Sequence, residues 1–324
     1  MSDPHRSPAG PISFLGAVTA LLILANIWFL WKPRADQVSG DTLIHLVFAR
    51  NAVEGHPFEY NLGHPSRAMT APLWNWLLAA VGAVTGTAAQ TEGFLLAFRG
   101  LSAAFLLLDL ALMWHLARRL GAGPVWAAGG LAVLASNPVT FYWIVANPME
   151  TAGAAAVAVA MIRWAGRASM DSRIRVWAAG GILTGAGFLI RPELVAFGGL
   201  AAASAFLGPE RRPWRGSIAW AGATATALGA WSGYLAWSGL AMLPNAASAR
   251  RLMLLLHDAR HLPLIGLPWS PDAFLFLALF VPLLAGAVRL AFDVSPERRA
   301  AGLAASCCAA FSLLFFSFYF YTTW

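Results

Sequence analysis

Charged side chains are scarce in this sequence. Asp, Glu, Lys and Arg make up 11% of its 324 residues, whereas 59% are hydrophobic. A water-soluble domain of this size cannot hide that much apolar surface. Cysteine is scarcer still: the two present, Cys307 and Cys308, are adjacent in an apolar run. Helix neighbours do not face each other, so they form neither a disulfide framework nor a redox pair and read as small apolar residues. Also missing are a glycine-rich phosphate loop, a G-x-S-x-G elbow and an H-E-x-x-H helix, which leaves nucleotide hydrolysis and the common hydrolases without support. There is no internal repeat, no low-complexity tract and no appended soluble domain.

What is present in quantity is long apolar sequence. Several runs of about 17–25 residues meet the length a helix needs to cross roughly 30 Å of hydrocarbon. The pattern predicts an all-α polytopic membrane protein with about nine spans: Ile12–Trp31, Phe94–Ala117, Pro124–Ala146, Thr151–Ala165, Val176–Ile190, Leu194–Leu207, Ser217–Trp237, Ala273–Leu290 and Gly302–Tyr321. The first run is too long for the apolar core of a cleaved signal and reads as an uncleaved anchor. Many of the fifteen tryptophans flank these runs, among them Trp28, Trp31, Trp143, Trp177, Trp214, Trp237, Trp269 and Trp324, as expected of a headgroup belt.

Two segments decide the topology. Ala71–Gly86 is short and opens with a proline; Arg191-Pro192-Glu193 breaks a long apolar stretch. With Ala71–Gly86 on the outer side and the proline break as an outer turn, thirteen of the 22 basic residues fall on the cytoplasmic side, against five acids. The outer side is then neutral. If Ala71–Gly86 spanned, the arginines at 118–119, 163–175 and 211–215 would move outside, against the positive-inside rule. The net charge of +7 therefore reads as membrane anchoring and not as a nucleic-acid footprint. This orders the chain as a cytoplasmic segment 1–11, a transmembrane module 12–238 with an external loop 32–92, an external loop 239–271, and C-terminal transmembrane helices 272–324.

The polar residues that do not serve as anchors then share the outer face. They lie in the first loop with Asp41, at Asn147–Thr151 with Glu150, at Arg191–Glu193, and in the loop carrying Asn245, Arg250 and Arg251. Each has a plain structural reading beside a chemical one. Asp41 opens a segment, Thr42–Val53, in which Leu43, Leu46, Val47, Ala49, Arg50 and Val53 outline an amphipathic interfacial helix, so it can cap that helix or act as a base. Glu150 at a helix start can complement the helix dipole. Arg191 and Glu193 can pair with each other. His45, His56 and His64 lack metal-ligand spacing and read as structural. Asp109, alone inside a span, can bond a neighbouring helix or mark a transport path. Arginines opposite acids at a membrane face suit a lipid phosphate held in a planar fork.

Four short motifs carry a family resemblance. Gly40-Asp41 is followed by Val47-Phe48-Ala49-Arg50-Asn51-Ala52-Val53-Glu54-Gly55-His56 and by Thr70-Ala71-Pro72-Leu73-Trp74; Pro148-Met149-Glu150-Thr151, Arg191-Pro192-Glu193 and Leu243-Pro244-Asn245 with Arg250 follow in order. The chain resembles the GT-C membrane glycosyltransferases, in particular the bacterial polyprenyl-phosphate-sugar-dependent enzymes similar to arabinofuranosyl- and mannosyltransferases. The resemblance implies a GT-C-like fold in the bacterial inner membrane, with interfacial helices in its first external loop. It implies inverting transfer at the outer face from a polyprenyl-phosphate sugar donor to a cell-envelope glycan, lipid or protein acceptor, with Asp41 as general base. Arg50, Arg191, Arg250 and Arg251 are the candidates to hold the leaving phosphate, and His56, Glu150, Glu193 and Asn245 complete the substrate-binding set. The use of a divalent cation is left open.

The sequence departs from the family at three places. Gly40 stands where the family has a first acid, Arg67-Ala68-Met69 where it tends to have an acid and a tyrosine, and the chain stops after fewer spans. A transporter or flippase of a lipid-linked or anionic substrate, and a noncatalytic GT-C-fold protein, are the alternative expectations.

Overall fold

A glycine in the left-handed region ends the first helix and turns the chain. Helix α1 (Gly40–Val53) closes where Gly55 (φ +90°) allows the His56 amide to donate to Asn51 O and the Gly55 amide to Ala52 O, at 2.8 and 3.3 Å. Gly86 (φ +66°) does the same after α2 (Pro72–Thr85), sending the chain back along α3 (Thr91–Arg119). The other helices are α4 (Pro124–Ser136), α5 (Thr151–Ala168), α6 (Ile174–Ile190), α7 (Leu194–Phe206), α8 (Pro213–Trp237) and α9 (Pro296–Tyr321). A computed structural model describes residues 38, 40–66, 69–136, 145, 148–207, 213–240 and 284–321. Over these the protein is helical, with a single two-stranded antiparallel hairpin, β1 (Glu59–Asn61) and β2 (His64–Pro65). The expected spans Ile12–Trp31 and most of Ala273–Leu290 lie outside the described residues.

The chain divides into two units. The first comprises residues 1–57 and 74–159, the second residues 58–73 and 160–324. In the first, Leu106 and Leu110 of α3 pack with Ala135 of α4, with Val145, and with Ala152 of α5. Trp74, fully buried on α2, sits between Phe98 and Phe105 of α3, with ring centroids 6.0 and 5.4 Å away.

In the second unit small residues let helices approach closely. Gly181 and Gly185 of α6, one turn apart, face Trp220, Ala223 and Ala227 of α8. Thr224 Oγ1 donates to Gly181 O at 3.3 Å, and Trp220 Nε1 to Thr184 Oγ1 at 3.1 Å. This small-xxx-small contact lets the two helix backbones approach closely. A methyl at Gly181 would meet the Trp220 carbonyl oxygen at 2.3 Å, whereas one at Gly222 would meet nothing within 4 Å. Gly181→Ala is therefore expected to cost about 1–3 kcal/mol, the range for overpacking, and to lower the thermal midpoint followed by tryptophan fluorescence. Gly222→Ala is the control that should leave it unchanged or raised.

Among the described residues one helix, α3 with 29 residues, is long and apolar enough to cross a membrane. Helices α2, α6 and α7 are apolar but shorter, at 14, 17 and 13 residues. At 1.5 Å per residue α2 reaches about 21 Å. That is less than the roughly 30 Å of a hydrocarbon core.

Within the protein, helix α1 buries Thr42, His45, Leu46, Phe48, Ala49 and Asn51 and leaves Leu43 and Val53 of the amphipathic stripe exposed. Trp177, in the first turn of α6, packs inward. It is buried, edge-on to Trp164 at 5.6 Å, and its Nε1 donates to Asp171 O at 3.1 Å. Trp214 and Trp237 are exposed.

Candidate functional site

Three stretches far apart in sequence meet at one imidazole. His45 lies on the inner face of α1, one turn after Asp41. Its Nδ1 is 2.8 Å from Asn75 Oδ1 and its Nε2 is 2.9 Å from Glu150 Oε2. His45, Asn75 and Glu150 are all buried, at 5%, 2% and 6% exposure. The local sequence explains each placement. Pro72 starts α2 at the one helical position where a missing N–H costs nothing, which sets Asn75 in the first turn. Glu150 accepts the first hydrogen bond of α5 through its carbonyl, from Ala154 N at 2.8 Å, so its carboxylate also sits against the positive end of that helix.

The arrangement suits the imidazolium: with Asn75 Oδ1 and Glu150 Oε2 both as acceptors, both ring nitrogens donate. The surroundings act in the same direction on balance. Burial is the largest single influence and lowers the pKa, but the hydrogen bond and charge of Glu150, with Asn75 and the charge of Asp41, together outweigh it, so the pKa stands above the ordinary 6.5.

Asp41 is exposed in the first turn of α1, where its charge meets the helix dipole favourably. Gly40 beside it is exposed as well, and a Cβ there would meet nothing within 4 Å. A side chain at position 40 therefore meets no steric bar. Gly40→Asp is expected to fold with unchanged or slightly higher stability, about 0.3–1 kcal/mol from the added negative charge at a helix start, measured by thermal melting in detergent.

The remaining candidates are distributed as follows. Arg50 lies in the last turn of α1 and His56 just beyond it, both exposed. Arg191 and Glu193, in the second unit, pair with each other at 3.5 Å between Nε and Oε1. Asn245, Arg250 and Arg251 lie outside the described residues. His64 is exposed at the hairpin. Among the described residues no group of three or more His, Cys, Asp or Glu is arranged to hold a metal ion.

Asn75 was not among the residues the sequence singled out, and His45 was read only as a structural histidine. The signals for them were faint: His45 stands four residues after Asp41, and Asn75 directly follows the T-A-P-L-W stretch. Comparison of the chain with family profiles, with curated proteins and with solved structures gave no match.

Proposed function

We propose that this protein is a polytopic membrane glycosyltransferase, with about nine spans, that transfers a sugar from a polyprenyl-phosphate donor to a cell-envelope acceptor at the outer face of a bacterial inner membrane. The observation that carries this reading is the His45–Asn75–Glu150 node. Three of the stretches on which the GT-C resemblance rests, around Gly40-Asp41, Thr70–Trp74 and Pro148–Thr151, converge there and leave Asp41 exposed one turn away. An exposed carboxylate on a helix braced from two sides suits a general base.

In the proposed reaction Asp41 takes the proton of the acceptor hydroxyl. The oxygen forms a bond to the anomeric carbon on the face opposite the phosphate. The bond from that carbon to the phosphate oxygen breaks, its electron pair leaving with polyprenyl phosphate. Arg50, exposed at the other end of α1, supplies positive charge for that leaving group, the role that the resemblance also implies for Arg191, Arg250 and Arg251.

The test is transfer itself. Membranes holding the full chain are incubated with radiolabelled polyprenyl-phosphate mannose or polyprenyl-phosphate arabinofuranose and with cell-envelope acceptor. Label is expected to pass to the acceptor, with release of polyprenyl phosphate.

One observation favours a second reading, a transporter or flippase. Asp109 in the middle of α3 is 2% exposed, and among the described residues neither carboxylate oxygen has a hydrogen-bond partner. Flipping of a fluorescent polyprenyl-phosphate lipid that stops with Asp109→Asn, without sugar transfer by the parent protein, would replace the first reading by this one.

A further inference from the structure

We propose that His45 is a positioning residue for Asp41, and that its proton, read by Asn75 on one side and Glu150 on the other, sets the pH range in which the site works. The inference rests on the Asp41 reading above and adds a regulation to it.

The argument starts from what each partner can exchange. Glu150 accepts from Nε2 whether the ring is cationic or neutral. Asn75 is different, because its side-chain amide has an acceptor at one end and a donor at the other. With His45 cationic, Nδ1–H donates to Oδ1 at 2.8 Å, and Asn75 Nδ2 is buried with no hydrogen-bond partner among the described residues. Loss of the Nδ1 proton turns that nitrogen into an acceptor facing another acceptor. The contact survives only if the amide turns over and presents Nδ2–H to the ring. Asn75 therefore registers the protonation state of His45 through its orientation.

The charge balance points the same way. The charges acting on His45 are those of Glu150, ahead of α5, and Asp41, on its own helix. Helix α2, which supplies Asn75, has no titratable residue along Pro72–Thr85. Helix α3 carries two further buried ionisable groups in this unit, Arg99 and Asp109. With the imidazolium present, one cation lies between two carboxylates. Without it, Glu150 keeps a buried negative charge that this ring no longer balances, and the clamp holding α1 against α2 and the start of α5 weakens. Asp41, in the same first turns of α1, moves with the clamp. The folded pKa lies above 6.5, so the clamp is complete below pH 6.5 and is lost as the pH rises through the raised value.

The test uses the full chain in lipid nanodiscs with isotope-labelled histidine and aspartate. At pH 6, below the ordinary value, both ring nitrogens of His45 are expected to show protonated shifts. The carboxyl carbon of Asp41 should show a step at the midpoint of the His45 titration. A single neutral tautomer at pH 6, or an Asp41 signal that ignores the His45 titration, overturns the proposal. Transfer from polyprenyl-phosphate mannose, followed against pH, should fall on the alkaline side. In Asn75→Asp, where both oxygens beside Nδ1 accept and carry charge, that limb should move up by about one pH unit or more; a limb that stays in place overturns it. Coupled titration in a protein that transfers no sugar would overturn the glycosyltransferase reading and leave the switch standing. Transfer with an uncoupled His45 would do the reverse.

Discussion

Asp41→Asn is expected to lower sugar transfer by about 10²- to 10⁴-fold while leaving the fold intact. The magnitude is that of removing a positioned general base from a proton transfer. The fold should survive because Asp41 is exposed. What the substitution removes structurally is one charge at a helix start, worth about 0.3–1 kcal/mol. Asparagine keeps a side-chain oxygen there and can still cap the helix. The pair of measurements is thus diagnostic. Melting in detergent should change little, and label transfer from the polyprenyl-phosphate sugar should nearly vanish. If Asp41 only caps α1, both will be close to those of the parent. The same substitution takes one negative charge away from His45, so the histidine's titration should move to lower pH in this variant.

Removing Glu150 has the opposite signature. Glu150→Ala strips a buried imidazolium of its carboxylate and opens a hole at the start of α5. Breaking a buried pair from one side costs about 3–5 kcal/mol. A loss of that size in a denaturant or thermal titration, with a matching fall in transfer, is expected. Glu150→Gln should lose less, since an amide oxygen still accepts from Nε2 at the 2.9 Å site. The two carboxamide substitutions thus separate the roles: at Asp41 chemistry is lost and stability kept, at Glu150 stability is lost first. Because the pKa of His45 is raised in the folded protein, the parent's advantage over Glu150→Gln should be full below pH 6.5 and shrink as pH rises above it. A gap that grows with pH would show that His45 does not carry the charge assigned to it.

Much of the helical layout was legible because local physics decides it. Proline at Pro72, Pro124 and Pro213 starts helices, and the polar break at Arg191-Pro192-Glu193 separates α6 from α7. Those boundaries agree with the expected ones to within a few residues. Arg191 and Glu193 pair with each other, one of the two readings their spacing allowed. Asp41 in the first turn of α1 was also readable, since a helix start and an acid beside it are neighbours in sequence.

The inner face of α1 was not readable. The apolar stripe with Leu43 and Val53 reads as an interfacial face and says nothing of which residues turn into the protein; His45 and Asn51 do, and Leu43 and Val53 stay exposed. The partners that make this favourable for His45, Asn75 and Glu150, lie 30 and 105 residues away. Periodicity weighs residues by hydrophobicity alone and has no means of anticipating an acceptor brought in from another helix. Trp177 shows the same limit, since its burial depends on Trp164 and on the carbonyl of Asp171.

By itself the sequence determined that the chain is helical, where its helices begin and stop, and which side chains are rare enough in so apolar a protein to need a reason. Composition, proline and short-range hydrogen bonding are local properties, and these follow from them. Only the tertiary structure decided that a histidine with no metal spacing joins Asn75 and Glu150 from two distant stretches of the chain. A buried charge is tolerated only beside its counter-charge, and that counter-charge comes from the far side of the fold.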